Sequence, residues 1–159
     1  MTATYELILA PLDGSEQAAK SLPHAIELAR GAGRRLILLR VIRPLELFTK
    51  EEASPPRFGQ LSADVLAQQD YEKRKLEAER YLDGLAQQLG TEHISVERMV
   101  SEGTAATEIL RTAKALSADL IVMTAHGFSA GLTAAPRGVF GSVCDGVLRN
   151  AELPVLVVR

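Results

Sequence analysis

The sequence predicts a doubly wound α/β fold, a five-stranded parallel sheet in the order 3-2-1-4-5 with helices on both faces, and three observations carry that prediction. Five short apolar runs punctuate the chain, and runs this continuous suit strands buried on both sides. Segments with helical spacing separate them, so parallel strands joined by right-handed crossovers follow. The absence of Trp, the 4% aromatic content and the many Ala, Leu and Val residues fit aliphatic strands beneath Ala-rich helices better than a sandwich or barrel. At 159 residues the chain has the length of one domain, 1–159, able to bury a core without disulfides or metal.

Tyr5 to Ala10 reads as the first strand, stopped by Pro11 and followed by Asp13-Gly14-Ser15. Ala18, Ala19, Leu22, Ala25, Ile26 and Ala29 then recur at helical spacing, with Ser15 or Asp13 as cap and Glu16 near the positive helix end. Pro23 inside that pattern predicts a kink or a shifted start. Gly31-Ala-Gly33 follows a helix and precedes a strand, the reverse of a dinucleotide fingerprint, and reads as a helix stop. Leu36 to Ile42 is the second strand. From Arg43 to Gln60 the periodicity is lost around Ser54-Pro-Pro-Arg-Phe-Gly59, which predicts a loop, either a lid or a tolerated insertion. Ser62 to Leu89 is a long helix whose charge-dense middle, Asp70 to Arg80, predicts a solvated face with i,i+4 pairs. Ala78, Leu82, Leu85, Ala86 and Leu89 supply its inner stripe. Ile94 to Val100 alternates apolar and polar residues, the mark of a half-exposed edge strand. Gly103-Thr104 opens the next helix, Leu120 to Met123 is the fourth strand, Ser142 to about Asn150 the last helix, and Pro154 to Val158 the fifth strand.

A net charge of -2 argues against a nucleic-acid or polybasic membrane surface. Cys144 has no second cysteine to pair with, and neither a signal peptide nor an apolar run of about 18 residues is evident. A cytoplasmic protein with a small or proteinaceous partner is therefore expected.

In the order 3-2-1-4-5 the first and fourth strands are neighbours, and ligands of such sheets bind beyond the carboxyl ends where the winding reverses. Asp13 and the loop from Thr124 to Gly131 then face each other. Gly141-Ser142 at a helix start offers N–H groups and a hydroxyl to an anion, and the glycines Gly127 and Gly131 let a ligand approach the backbone. Asp13 has three candidate roles: accepting from ribose hydroxyls, holding a divalent cation, or closing an Asx turn. His126 is expected to hydrogen-bond locally. Gly127-Phe-Ser-Ala-Gly131 matches the G-x-S-x-G elbow of hydrolases with Ser129 as nucleophile, but no helix follows at once, and His24, His93 and His126 all precede the serine. Walker A and cysteine-histidine metal spacings are absent from the sequence.

Leu9-Ala-Pro-Leu-Asp-Gly-Ser15, Arg40-Val-Ile42, Glu102-Gly103, Thr124-Ala-His-Gly127, Arg137, Gly141-Ser142-Val143 and Pro154 to Val158 together resemble the universal stress protein family over essentially the whole chain. The resemblance implies a Rossmann-like fold, a homodimer paired through strand 154–158, and an ATP-binding or related AMP- or ADP-binding stress-response protein with slow hydrolysis at most. In nucleotide-binding members the signature is G-x2-G-x9-G-S/T. Carried over, Gly127 is its second glycine, Gly141 its third and Ser142 its hydroxyl residue. Gly127, Gly141, Ser142 and the Val143 N–H would hold phosphates, Pro11, Asp13 and Val41 would border the adenosine, and Asp13 would take ribose or Mg2+. Leu12, Ser15, Gly103, Met123, Thr124, His126, Gly131 and Arg137 complete the implied nucleotide site.

The chain departs from that signature in two places. Thr124 stands at the first glycine, and thirteen residues rather than nine separate Gly127 from Gly141. Placed around Thr133 to Pro136, the extra residues either bulge outward and leave the phosphate contacts intact, or close over the site. The second arrangement would make the chain a dimeric interaction module that binds no nucleotide.

Overall fold

The computed structural model describes residues 4–31, 33–45, 63–127 and 140–159. Its strands are β1 (Leu7–Pro11), β2 (Arg35–Ile42), β3 (Ser95–Glu102), β4 (Leu120–Thr124) and β5 (Val155–Val158), and its helices α1 (Glu16–Ala19), α2 (Leu22–Ala29), α3 (Ala63–Leu89), α4 (Ala105–Ala115) and α5 (Ser142–Asn150). They form one sheet in the order β3-β2-β1-β4-β5, parallel at every pairing. The order and the strand direction are those the sequence predicts.

Strand alternation sorts the aliphatic side chains into two cores. Ile8, Ala10, Leu36, Leu38 and Val122 pack with Leu22 and Ala25 of α2 and Leu82 and Leu89 of α3. Leu7, Leu9, Ile37, Leu39, Ile121 and Met123 pack on the other side with Ile109 and Ala113 of α4 and Cys144 and Val147 of α5. Central strands are thus covered on both faces, which is why their sequences are continuous apolar runs.

The helical pattern after β1 is two helices. Pro23, lacking an N–H, stands in the first turn of α2, where no intrahelical donor is needed. The buried Ser21 Oγ donates to the Ala18 carbonyl at 2.8 Å and so ties the two pieces together. In α3, Ala78, Leu82 and Leu89 are buried, while Arg74 pairs with Asp70 at 2.8 Å and Lys73 with Glu77 at 3.9 Å along the solvated face.

The two sheet edges differ. β3 is largely exposed and carries Glu97, bonded to Arg35 of β2 at 2.7 Å, and Arg98, paired with Asp83. β5 is apolar and half-buried, with Leu156 at 37% exposure. The segments expected as a lid or insertion (46–60), as an elbow (Ser129) and as an insertion (Thr133 to Pro136), together with Gly131 and Arg137, lie outside the described residues.

Candidate functional site

β1 and β4 are neighbours at the point where the chain turns from building one half of the sheet to building the other. Beyond their carboxyl ends the chain leaves the sheet abruptly. Leu12 still donates to the Leu39 carbonyl at 2.8 Å. Asp13 Oδ1 then accepts from the Ser15 N–H at 2.9 Å and from Ser15 Oγ at 2.6 Å, and Ser15 Oγ in turn accepts from the Ala18 N–H at 3.0 Å, capping α1. One carboxylate oxygen therefore closes an Asx turn. The other, Oδ2, lies where a side chain on Gly127 would have to go, so the carboxylate spans the gap between the two loops. Asp13 combines the turn role and the crevice position that the sequence reading set out as alternatives.

On the opposite wall, Thr124 Oγ1 donates to the His126 carbonyl at 2.7 Å, and the Ala125 N–H donates to the Val158 carbonyl at 2.9 Å. The Ala125 carbonyl accepts from the Gly141 N–H at 2.9 Å. That bond anchors the start of α5 beside β4 and uses the Gly141 donor, which is therefore turned away from any anion. Gly141 is the N-cap and makes no side-chain capping bond. Helix geometry leaves the N–H groups of Ser142, Val143 and Cys144, in the first turn, without an intrahelical acceptor, and they form the positive end of the helix.

Pro11, Leu12, Asp13, Val41, Met123, Thr124, Gly127, Gly141, Ser142 and Val143 line one crevice between these loops. Ala18, Leu39, Ala105, Ile109, Ala125 and Cys144 also stand on its walls and were not foreseen from the sequence. Their signal was available, since Ala105 and Ile109 lie one turn apart on the inner face of α4 and Cys144 follows Val143. Ser15 stands behind Asp13, fixing it. Gly103 and His126, expected at the site, are not among its walls. The Gly103 N–H donates to the Ile42 carbonyl at 3.1 Å, and its φ of +144° brings its Cα over the Glu108 side chain, so it serves the β3–α4 turn. Among the described residues His126 Nε2 is buried without a hydrogen-bond partner, and it is the backbone carbonyl of His126 that engages Thr124.

Three chemistries meet in the crevice. Leu39, Val41, Ile109 and Met123 give an apolar slot, Asp13 gives a fixed carboxylate, and the first turn of α5 gives open amide donors. Burial, with a smaller contribution from Asp145, pushes the Cys144 thiol up, so it belongs to the apolar wall at neutral pH. Among the described residues no group of three or more His, Cys, Asp or Glu side chains is placed to hold a metal. No helix among the described residues is long and apolar enough to cross a membrane.

Sheet order and crevice define a doubly wound α/β protein with its site at the switch point. Comparison with known proteins narrows the class. The model of the universal stress protein family matches residues 4–159. Universal stress protein MJ0531 of Methanocaldococcus jannaschii is 30% identical over 155 residues, covering 98% of this chain and 82% of that protein. The solved structure of MJ0577, from the same organism, superposes with a TM-score of 0.76 at 25% identity, over 98% of this chain and 96% of that one. A universal stress protein from Archaeoglobus fulgidus, solved in complex with dAMP, shares the fold at 18% identity and a TM-score of 0.61, over 99% of this chain and all of that one. The chain belongs to the universal stress protein family.

Proposed function

We propose that the chain is a cytoplasmic stress-response protein that binds an adenine nucleotide in the β1/β4 crevice and works as a nucleotide-dependent sensor or adaptor. One observation carries the reading. An apolar slot, a fixed carboxylate and an open helix N-terminus converge within a single crevice, and these are the complements of a purine, a ribose and a phosphate. The A. fulgidus neighbour solved with dAMP supports the ligand class. The purine lies between Val41 and Met123, a ribose hydroxyl donates to Asp13, and the phosphates meet the N–H groups of Val143 and its neighbours together with Ser142 Oγ. Gly127 and Gly141 keep the approach clear. Any Mg2+ travels on the phosphates. Two copies join through β5, whose outer edge is apolar and, among the described residues, unpaired.

The thirteen-residue spacing between Gly127 and Gly141 favours a second reading, an interaction module of the same fold without a nucleotide. Isothermal titration with ATP, ADP and AMP, each in Mg2+ and in EDTA, decides. Saturable one-site binding in the micromolar to millimolar range is expected. No heat of binding at millimolar nucleotide leaves the interaction module as the reading.

A further inference from the structure

We propose that Arg40 is a positioning residue of the crevice, which balances the Asp13 charge from behind and commits that carboxylate to a neutral hydroxyl rather than to a cation. The inference rests on the nucleotide reading and goes beyond it by assigning Arg40, which lines no wall of the crevice, a part in how Asp13 accepts that hydroxyl.

Arg40 lies near the end of β2 between Leu39 and Val41, which line the crevice. Its own side chain goes to the opposite face of the sheet. There the guanidinium carbon stands 5.8 Å from the centre of the Tyr81 ring, and Nη1 lies beneath Gly14, within 2.5 Å of where a side chain would begin. Gly14, at φ +86°, is the residue after Asp13, so the cation presses on the backbone of the Asx turn itself.

The guanidinium is costly where it is. Among the described residues Nε and Nη1 are buried and have no hydrogen-bond partner, and buried donors without acceptors are destabilising. Packing alone would be served as well by an apolar side chain of similar length. What an apolar residue cannot supply is charge. Burial pushes the Arg40 guanidinium down from its ordinary value, and Asp13, ahead of Tyr81 and Glu77, pulls it back. Asp13 therefore interacts with Arg40 more strongly than any other acid does. A fixed cation behind the carboxylate holds it in place as a charged acceptor at the mouth of an apolar crevice, while the same cation repels a divalent ion approaching from the front. The ligand group that fits is an O–H donor.

The test compares AMP with 2′,3′-dideoxy-AMP by calorimetry in the intact protein, the Arg40→Met variant and the Arg40→Lys variant. Intact protein is expected to favour AMP about tenfold, the size of one hydrogen bond to an ion, and to give the same AMP constant in EDTA and in millimolar Mg2+. In Arg40→Met the preference falls towards unity while the dideoxy constant stays within about twofold, and Arg40→Lys, which keeps the charge, restores the preference. Should Arg40→Met fail to fold, Arg40→Gln replaces it. An unchanged preference in a folded uncharged variant, equal weakening of both ligands, or a several-fold gain with Mg2+ in the intact protein overturns the assignment. Failure of the intact protein to bind either nucleotide removes the nucleotide reading as well, and is told apart by the absence of any heat.

Discussion

Gly127 is bare because the Asp13 carboxylate fills the space a methyl would take. Gly127→Ala must push Asp13 aside or shift its own loop, so the variant is expected to fold and to lose about tenfold in nucleotide affinity, the value of one hydrogen bond to a charged acceptor. Wild-type affinity in the titration would show that the carboxylate is not a ligand contact. Gly127 and Asp13 were legible in the sequence because a strand-terminal Asp-Gly-Ser and a strand-terminal glycine loop are patterns tied to backbone geometry. Arg40 was not. Its significance arises from Gly14 and Tyr81 meeting it in space, and no spacing along the chain encodes that meeting. The surroundings of His126 were hidden for a related reason: the sequence shows a polar ring in a loop but not that its Nε2 is buried without a partner among the described residues.

At the level of elements, the turn from β3 into α4 is latched by Glu108. Its carboxylate accepts from Ser101 Oγ at 2.5 Å and from Arg111 Nη2 at 2.5 Å, and it fills the space beside Gly103. Arg111 first and Ser101 second hold the Glu108 carboxyl below its ordinary value of 4.5. A lowered folded value means that the latch contributes stability above the ordinary value and loses it as pH falls through the folded one. Glu108→Gln is therefore expected to be less stable than the parent at neutral pH, with a gap that narrows below pH 4.5 and closes beneath the folded value. Urea unfolding of both proteins across that range reads it, and a gap independent of pH would show that the carboxylate charge is not what stabilises the turn. The family resemblance implies a place for Gly103 at the site, while its own sequence context, a glycine between a strand and a helix, already reads as a turn. The split of the first helical pattern, by contrast, was announced by Pro23, since a missing N–H allows few positions in a helix.

For the molecule as a whole, sheet order was legible because each connection had helical periodicity and parallel crossovers have one hand. Which helices share a core was less so, because apolar residues look alike whichever face they cover. Under the proposed assembly, burying the β5 edge between two copies makes Leu156, exposed and registered opposite Val122 of β4, a determinant of self-association. Leu156→Lys is expected to sediment as a monomer where the parent sediments as a dimer, with the AMP constant unchanged within about threefold. A parent that is monomeric at tens of micromolar overturns the assembly.

The charged edge at β3 bears on what such an assembly becomes. Antiparallel pairing of β5 with its own copy is isologous and uses the apolar edge of both chains at once. What remains at the two outer margins is β3, with Glu97 and Arg98 held in ion pairs, a border on which an incoming strand would have to strip charge to add itself. Under the proposed assembly, growth by strand addition would end at two chains, and the protein would acquire a continuous sheet without acquiring the means to form a filament.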